Sequence, residues 1–469
     1  MQPPWTQKIA PKQSLAVLQQ KFQTALDLHR QGKLSNAEKI CKEIIFYDQK
    51  HFGALHLLGV ICAQNRQFER AVELISRAIR IDPRNAEAYS NRGNALRELK
   101  RYEDALANHD KAISLNHNLA ESHNNRSNVL RALGRYEDAL ASSEKAIALK
   151  ANYAEAYLGK SICLLLRGQF SEGWELYEWR WKTEKTASQP LITDRPAFNL
   201  NDQKRVLVWA EQGVGDEVMF GSMISEFRHL CAQLIVQIDE RLIPLFSRSI
   251  SNDVVFLPKK SLVPQDLYDQ HISIGSISRY LRNSEGSFNT SRSGYLIADS
   301  KRTNEIRAFL TNGNHKKVCG ISWRTNNEHI GVSRSIKLKD FLKSVFMKDY
   351  SFVNLQYGAT DIEIEQARAE SGIGVINYDK VDNFNDLDGL ACLIQSCDVV
   401  VSIDNATVHL AGALGKDVRI LLSRTPEWRW QLNRDDSPWY SSATLYRQCK
   451  DGDWANAFAK IRADLQKET

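Results

Sequence analysis

Apolar residues recur with a 34-residue period through the first third of the chain. Set in register, the segments 52–85, 86–119, 120–153 and the one opening at Ala154 line up small residues at fixed offsets. Gly59, Gly93 and Ser127 share one repeat position, twelve residues before Ala71, Ala105 and Ala139. Ala78, Ala112 and Ala146 come seven later. Small residues there let two helices approach closely within a repeat and against the next one, while Tyr89, Leu96, Tyr102 and Leu106 fill the seam. A helical pattern already begins near Ser14. Residues 18–51 form a degenerate first repeat with Gly32 at its turn, and the repeats run to about residue 183. Residues 184–203 then hold no period and contain Pro190 and Pro196, as a linker does.

Beyond the linker, short apolar runs alternate with helical ones. Strands are predicted at 205–210 and 234–238, more weakly at 254–257 and 271–274, and again at 318–323, 352–356, 375–377, 398–403 and 418–422. Helices are predicted at 216–230, from 338, and at 363–371, 386–396 and 407–414, and a loop at 282–294. Such alternation predicts parallel sheets with covered faces, arranged as two Rossmann-like lobes with a cleft between them. The expected fold class is α + α/β: a tail (1–17), a helical solenoid (18–183), the linker (184–203), a first lobe (204–300) and a second lobe (301–469). The 34-residue spacing is the tetratricopeptide pattern. Each such unit must stack to bury its apolar face, and the stack leaves a groove suited to a protein partner. Trp174, Tyr177, Trp179 and Trp181 crowd the end of the last repeat. They are expected to be buried, either as a junction to the α/β domain or as a plain capping helix.

Composition narrows the picture only by exclusion. At 43% hydrophobic and 25% charged, the chain has the make-up of a soluble globular protein. A formal charge of +6 over 469 residues, without a dense Lys/Arg tract, does not point to nucleic acid. No run of about 18 apolar residues occurs, so no membrane span is expected. Met1-Gln2-Pro3-Pro4-Trp5 lacks the basic start and apolar core of a secretory signal. The eight cysteines are scattered without a C-x-x-C, which fits small buried residues in a reducing cytoplasm better than a disulfide or metal framework.

Two strand-to-helix turns could carry chemistry. Glu211-Gln212-Gly213-Val214-Gly215-Asp216 comes directly after the first strand of the α/β part, where parallel sheets place ligands. Its glycines permit close approach of a ligand, and Asp216 is either a helix cap or a functional carboxylate. The second turn comes after the very apolar strand at 398–403, where Asp404-Asn405 opens a helix rich in small residues. The unpaired N–H groups of its first turn can hold a phosphate. His409 lies in the first turns of that helix, either facing the cleft or packed structurally.

The stretch from Ser402 to Gly415, S-I-D-N-A-T-V-H-L-A-G-A-L-G, resembles the nucleotide-sugar segment of the bacterial heptosyltransferase family, whose fold is the two-lobed glycosyltransferase B type. That family binds the donor diphosphate there through backbone amides. The resemblance points to Asp404, Asn405, Ala406, Thr407 and His409, with Asn405 standing where the family usually has Thr. The family's early G-D matches Gly215-Asp216, which implies that Asp216 is the catalytic base, with Gly213 beside it. From residue 52 onward the chain also resembles bacterial tetratricopeptide glycosyltransferases, including those proposed to modify flagellin. Landmarks are Gly173-Trp174, Tyr177-Glu178-Trp179-Arg180-Trp181, Glu211-Gln212-Gly213, Ser322-Trp323, Arg334-Ser335-Ile336, Leu355-Gln356, Trp428-Arg429-Trp430, Ser437-Pro438-Trp439-Tyr440 and Arg447-Gln448. The architecture is similar to that of the O-GlcNAc transferases.

These resemblances imply a nucleotide sugar as co-substrate with no further cofactor, and a protein acceptor, flagellin-like among the candidates. Trp323, Arg324 and Arg334 fall to the donor site. Arg334 is either a diphosphate clamp or a loop cation. Gln356 is placed to bond base or ribose, and Trp428, Trp430 and Trp439 either stack on a ligand or fill the core. Asp386-Leu387-Asp388 spells the metal motif of the other major glycosyltransferase fold, but it opens a helix, so capping explains it and no metal is expected. In the groove, Asn91 and Asn125 share one repeat position and Asn94 and Asn128 another. They either bond an extended peptide or serve packing. Two other readings stay open: a non-catalytic scaffold, and a transferase acting on saccharide or lipid-linked glycan.

Overall fold

The computed structural model describes residues 14–183, 189–200, 203–288, 294–311, 316–325 and 331–467. It divides into two compact units, Met1–Cys163 and Leu164–Thr469. The first unit is built from helix pairs: α1 (Leu15–Arg30) with α2 (Leu34–Tyr47), α3 (Phe52–Gln64) with α4 (Phe68–Ile81), α5 (Ala86–Glu98) with α6 (Tyr102–Leu115), and α7 (Ala120–Ala132) with α8 (Tyr136–Leu149). Helix α9 (Ala154–Leu166) opens the next pair and spans the unit boundary. Side chains start the helices where the sequence offers them: Ser14, His51 and Asn85 each accept a backbone N–H three residues on. Helix α1 touches α3, α3 touches α5 and α5 touches α7, so the first helices of successive repeats line one face.

Each small residue at the shared repeat position faces a partner sixteen residues on, and the two are matched in size. A Cβ on Gly59 would lie 2.5 Å from Ile75, and one on Gly93 would lie 2.8 Å from the ring of His109. In the next repeat the partner is Ser143, so the position tolerates Ser127, whose hydroxyl bonds that of Ser143 at 2.8 Å and the Ala139 carbonyl at 2.8 Å. Arginines on α5 and α7 clamp the layers. Arg92 donates to Asn108 and Ser76, and Arg126, 34 residues later, to Asp110 and Ser142. Each thus ties its helix to the second helices of two repeats.

The second unit begins with the end of α9 and α10 (Phe170–Tyr177) and continues as α/β. Its first sheet has strands β1 (Arg205–Trp209), β2 (Gln233–Ile238), β3 (Val254–Pro258) and β4 (Gln270–Ser273), all parallel, in the order β3-β2-β1-β4. Helices α11 (Val214–Gly221), α12 (Ile224–Arg228), α13 (Ile243–Ser249) and α14 (Ser278–Leu281) connect them. The single helix expected over 216–230 breaks at Ser222-Met223. The second sheet is introduced by α15 (Ser300–Leu310). Its strands are β5 (Lys317–Ser322), β6 (Tyr350–Asn354), β7 (Val375–Ile376), β8 (Val399–Ile403), β9 (Val418–Leu422) and β10 (Ala443–Arg447), all parallel, in the order β10-β9-β8-β5-β6-β7. Helices α16 (Gly331–Arg334), α17 (Leu338–Val345), α18 (Asp361–Ser371), α19 (Leu387–Gln395), α20 (Ala406–Ala413) and α21 (Ala455–Lys467) complete it. Strand order reverses between β1 and β4 in one sheet and between β5 and β8 in the other, the two switch points where such sheets open a crevice.

Of the aromatic run at the end of the repeats, Trp174 and Tyr177 are buried as expected, whereas Trp179 and Trp181 are only half-buried. Trp174 is 1% exposed and meets Tyr177, Phe220, Trp428 and Trp439 edge-on. Arg180 continues from it into the first sheet. Its guanidinium grips Glu211 at 2.9 and 2.8 Å, donates to Ser273 and Ser276, and lies against the rings of Tyr177 and Trp181. The stretch expected to be a bare linker also takes part. His271 donates to Pro196 and accepts from Phe198, so residues 196–198 lie along β4, with Phe198 packed on Phe227 and Tyr280. Among the described residues no helix is long and apolar enough to cross a membrane.

This packing generates two expected outcomes. His109 is enclosed, and burial together with the Arg97 charge lowers its pKa to about 4. The unfolded chain therefore takes up a proton near pH 6.5 that the folded chain refuses until about pH 4. Stability falls as pH drops through that window, by about 3 kcal/mol from this group. His109→Ile, which copies the Gly59–Ile75 pair, is expected to flatten the pH dependence of urea unfolding, and an unchanged slope would refute the assignment. Arg180→Leu strands the buried Glu211 carboxylate and is expected to cost about 3–5 kcal/mol, part of it recovered in the Arg180→Leu/Glu211→Leu double variant. A single variant within 1 kcal/mol of wild type, on the order of a surface change, would show the pair to be dispensable.

Candidate active site

The turn after β1 is set by three contacts. Gln212 sits at φ 62°, its side chain donates to the Tyr177 hydroxyl at 2.7 Å, and its carbonyl accepts from Lys259 at 3.0 Å. Gly213 caps α11, and its N–H is bonded at 3.3 Å by one oxygen of Asp216. The other Asp216 oxygen lies 2.9 Å from Arg429 of the second lobe. Asp216 is thus both a helix-start carboxylate and half of an interlobe ion pair. A Cβ on Gly213 would make only an ordinary contact, 3.8 Å from an Asp216 oxygen, but one on Gly215 would lie 2.9 Å from His409 and 3.5 Å from Ala406. Gly215 is small so that α11 can seat on α20, and not in order to admit a ligand.

On the second-lobe side, β8 ends in Asp404 and Asn405. Asn405 caps α20 through the Thr407 N–H at 3.0 Å and reaches back to Ser322 at 2.7 Å, joining β8 to β5 across the switch point. Ala406 is half-buried in the first turn, and Thr407 is wholly enclosed. His409 is 2% exposed, not open to a cleft. It stacks on Trp430, bonds the Tyr440 hydroxyl at 3.0 Å and meets Arg429 at 3.4 Å. Burial first, then the charges of Arg429 and Arg334, push its pKa well below the usual histidine range, so the ring is neutral. A neutral ring accepts from Arg429 at Nε2 and donates from Nδ1 to Tyr440.

Several residues expected at the donor instead hold the fold. Trp323 is fully buried in the core below β5, with its indole N–H on Glu363 at 2.6 Å. Gln356 is 1% exposed at the edge of a cavity; its amide oxygen accepts from Ser322, Trp323 and Arg324, and its amide nitrogen donates to the Tyr357 carbonyl at 3.3 Å. Arg324 bonds Glu363 and the Ala359 carbonyl. Arg334, expected as a clamp or a loop cation, lies between Asp404 at 2.8 Å and Glu427 at 2.5 Å. Trp428, Trp430 and Trp439 are core residues. Asp386 caps α19 through the Gly389 N–H at 2.8 Å, and Asp388 pairs with Arg248.

Sequence reasoning missed Arg429 and Glu427. The signal was there: an arginine between two tryptophans, in W-R-W, is carried into an apolar setting by its neighbours and needs a carboxylate. It also missed a cavity of about 450 Å³ at the carboxyl ends of β6 and β7, lined by Asn354, Thr360, Asn377, Asp379, Asn383 and Phe384 among others. Among the described residues no cluster of three or more His, Cys, Asp or Glu side chains is suited to a metal. In the solenoid, the four asparagines do not form one uniform ladder. Asn91 bonds His56 at 3.0 Å and Asn128 accepts from Arg131, whereas Asn125 is half-buried and the Asn94 side-chain oxygen is buried without a partner among the described residues.

Residues 22–85 and 84–152 match tetratricopeptide repeat families. Protein FlbA of Caulobacter vibrioides is 27% identical over 327 residues, covering 64% of this chain and 53% of its own length. The chain spans about half the length of that curated relative. The matched share, about 300 of 469 residues, exceeds the repeat region and so includes part of the α/β unit. Among solved structures, the crystal structure of MamA matches 33% of this chain and 91% of its own at 21% identity, with a TM-score of 0.31. YrrB, described as a TPR protein with an unusual peptide-binding site, matches 34% and 82% at 18% identity and a TM-score of 0.30. PilF of Pseudomonas aeruginosa matches 46% and 88% at 18% identity and a TM-score of 0.36. The chain is a tetratricopeptide-repeat-containing protein in which the helical repeats precede a region of parallel α/β sheets.

Proposed function

We propose that the chain transfers a glycosyl group from a nucleotide-sugar donor to a protein acceptor held by the repeats. The observation that carries the reading is a juxtaposition. The segments around Gly215-Asp216 and Asp404–His409, nearly two hundred residues apart in sequence, pack on each other as α11 on α20. Asp216 is thereby set beside the start of α20, at the carboxyl edge of the six-stranded sheet. The amide-rich cavity beyond β6 and β7 opens on the same edge and serves as the nucleoside pocket in this reading.

The reaction is a direct displacement. Asp216 takes the proton of the acceptor hydroxyl as the hydroxyl oxygen bonds the anomeric carbon. The bond from that carbon to the diphosphate oxygen breaks, and its electron pair leaves with the nucleoside diphosphate, facing the N–H groups at the start of α20. No metal or resident cofactor enters the proposal. The first helices of the repeats, with Asn91, Asn94, Asn125 and Asn128 among their exposed or half-buried polar groups, supply the acceptor-binding face, a flagellin-like chain being one candidate acceptor and the cytoplasm the expected setting.

The scaffold reading draws on a different observation: Arg334 and His409 are both engaged by the protein itself. The two readings part on one experiment. Wild type is expected to bind a nucleotide sugar and to glycosylate its acceptor. Asp216→Ala is expected to keep donor binding and lose transfer by about 10²-fold or more. Retained turnover in Asp216→Ala, monitored by mass spectrometry of the acceptor, would remove the base assignment. A folded wild type that binds no donor would leave the scaffold.

A further inference from the structure

Arg180 in the second unit uses its whole guanidinium. Arg180 places five hydrogen bonds on Glu211, Glu178, Ser273 and Ser276, among them a two-pronged grip on one carboxylate, and a sixth on the Tyr177 carbonyl. Arg429 is different. It is half-buried at the lobe interface over Trp428, and its nearest approach to Asp216 is a single Nη1 contact at 2.9 Å. That contact is an ion pair without good hydrogen-bond alignment, since the Asp216 oxygen has no aligned donor among the described residues. The other contact, to His409 at 3.4 Å, is long. Its Nε–H is buried with no partner among the described residues. Buried guanidinium donors are ordinarily all used, and an Arg fork suits two oxygens of a phosphate better than one of a carboxylate. Arg334, the expected clamp, is by contrast already shared between two carboxylates.

Resting on the glycosyl-transfer reading, we propose that Asp216 is an exchangeable partner of Arg429. The donor's diphosphate takes the Arg429 guanidinium, and the carboxylate released by that exchange becomes the base. Arg429 then neutralises charge on the departing diphosphate, while Asp216 accepts the acceptor's proton. Without donor the base stays engaged, so the acceptor is activated only when the sugar is in place, and binding is ordered with donor first. The neutral ring of His409, backed by Tyr440 and Trp430, holds Arg429 from behind without competing for anions.

The test is calorimetric titration of the full chain with UDP, GDP, ADP and pyrophosphate, comparing wild type, Arg429→Gln and Asp216→Asn. Arg429→Gln is expected to weaken binding about tenfold or more. Asp216→Asn keeps the shape and removes the competing charge, so it is expected to tighten binding several-fold, by roughly the worth of one partly buried ion pair. A structural pair would weaken with either change. Weakening in both variants, or binding that ignores Arg429, would overturn the exchange and leave the donor site standing. Failure of wild type to bind any of the four would overturn the exchange together with the reading beneath it. Should Arg429→Gln fail to fold, the sign of the Asp216→Asn effect decides alone.

Discussion

The Arg180–Glu211 pair is the constraint that sets the geometry of the first lobe. It fills the switch point between β1 and β4, the crevice that this topology opens. A buried ion pair gains little over an apolar filling unless every donor is used, and here they are: both carboxylate oxygens, two serine hydroxyls and the Gly275 N–H close the network. Burial opposes the charge on Arg180, but Glu211 more than offsets it and keeps the guanidinium firmly protonated. With Glu211 fixed, Gln212 is forced into its left-handed turn, α11 starts at a set height, and Asp216 reaches the lobe interface. The position of one candidate catalytic group is therefore inherited from a residue of the aromatic segment that closes the repeats.

The second switch point is stitched by neutral groups instead. Asn405 bonds Ser322, Ser322 bonds Gln356, and Gln356 also holds the backbone of Trp323 and Arg324. Amide and hydroxyl groups carry a smaller desolvation cost than ions and fix direction equally well. This network orients the start of α20 and closes the crevice between β5 and β8 at the same time. Room for a ligand in this lobe is displaced toward β6 and β7, where Asn383 and Phe384 border open space.

The legible part of the sequence was the part dictated by period. The repeats, with their small residues, and the parallel strands that form the two sheets arise from apolar spacing that local burial enforces, and both appear. Strand β10 and helix α21 were not foreseen, although Ala457, Phe458, Ile461 and Leu465 form an ordinary apolar stripe on α21. The break of the first α/β helix at Ser222-Met223 carries no period that marks it. The candidate site was legible in its location but not in its contacts. The resemblance assigns Trp323 and Gln356 to a ligand, yet a strand end must also satisfy its own backbone, and Gln356 commits its amide oxygen to that task. A motif names the position of a polar residue. Whether its side chain turns toward a ligand or toward the chain depends on partners such as Glu363 and Glu427, which lie tens of residues away.

The same logic separates the two glycines of the first turn. Both suggest close approach to something, but a Cβ on Gly213 would make only an ordinary contact with Asp216, while the space beside Gly215 is filled by α20. Only the second is required by packing, and what it permits is the contact that brings Asp216 to Arg429. A side chain at that position would hold the lobes apart by the width of a methyl group or more, and the attraction between charges across the interface falls as that gap widens. The small residue in the motif thus serves the charge pair indirectly. It sets the distance between lobes at which one arginine can answer either to a carboxylate of the opposite lobe or to an anion that enters between them.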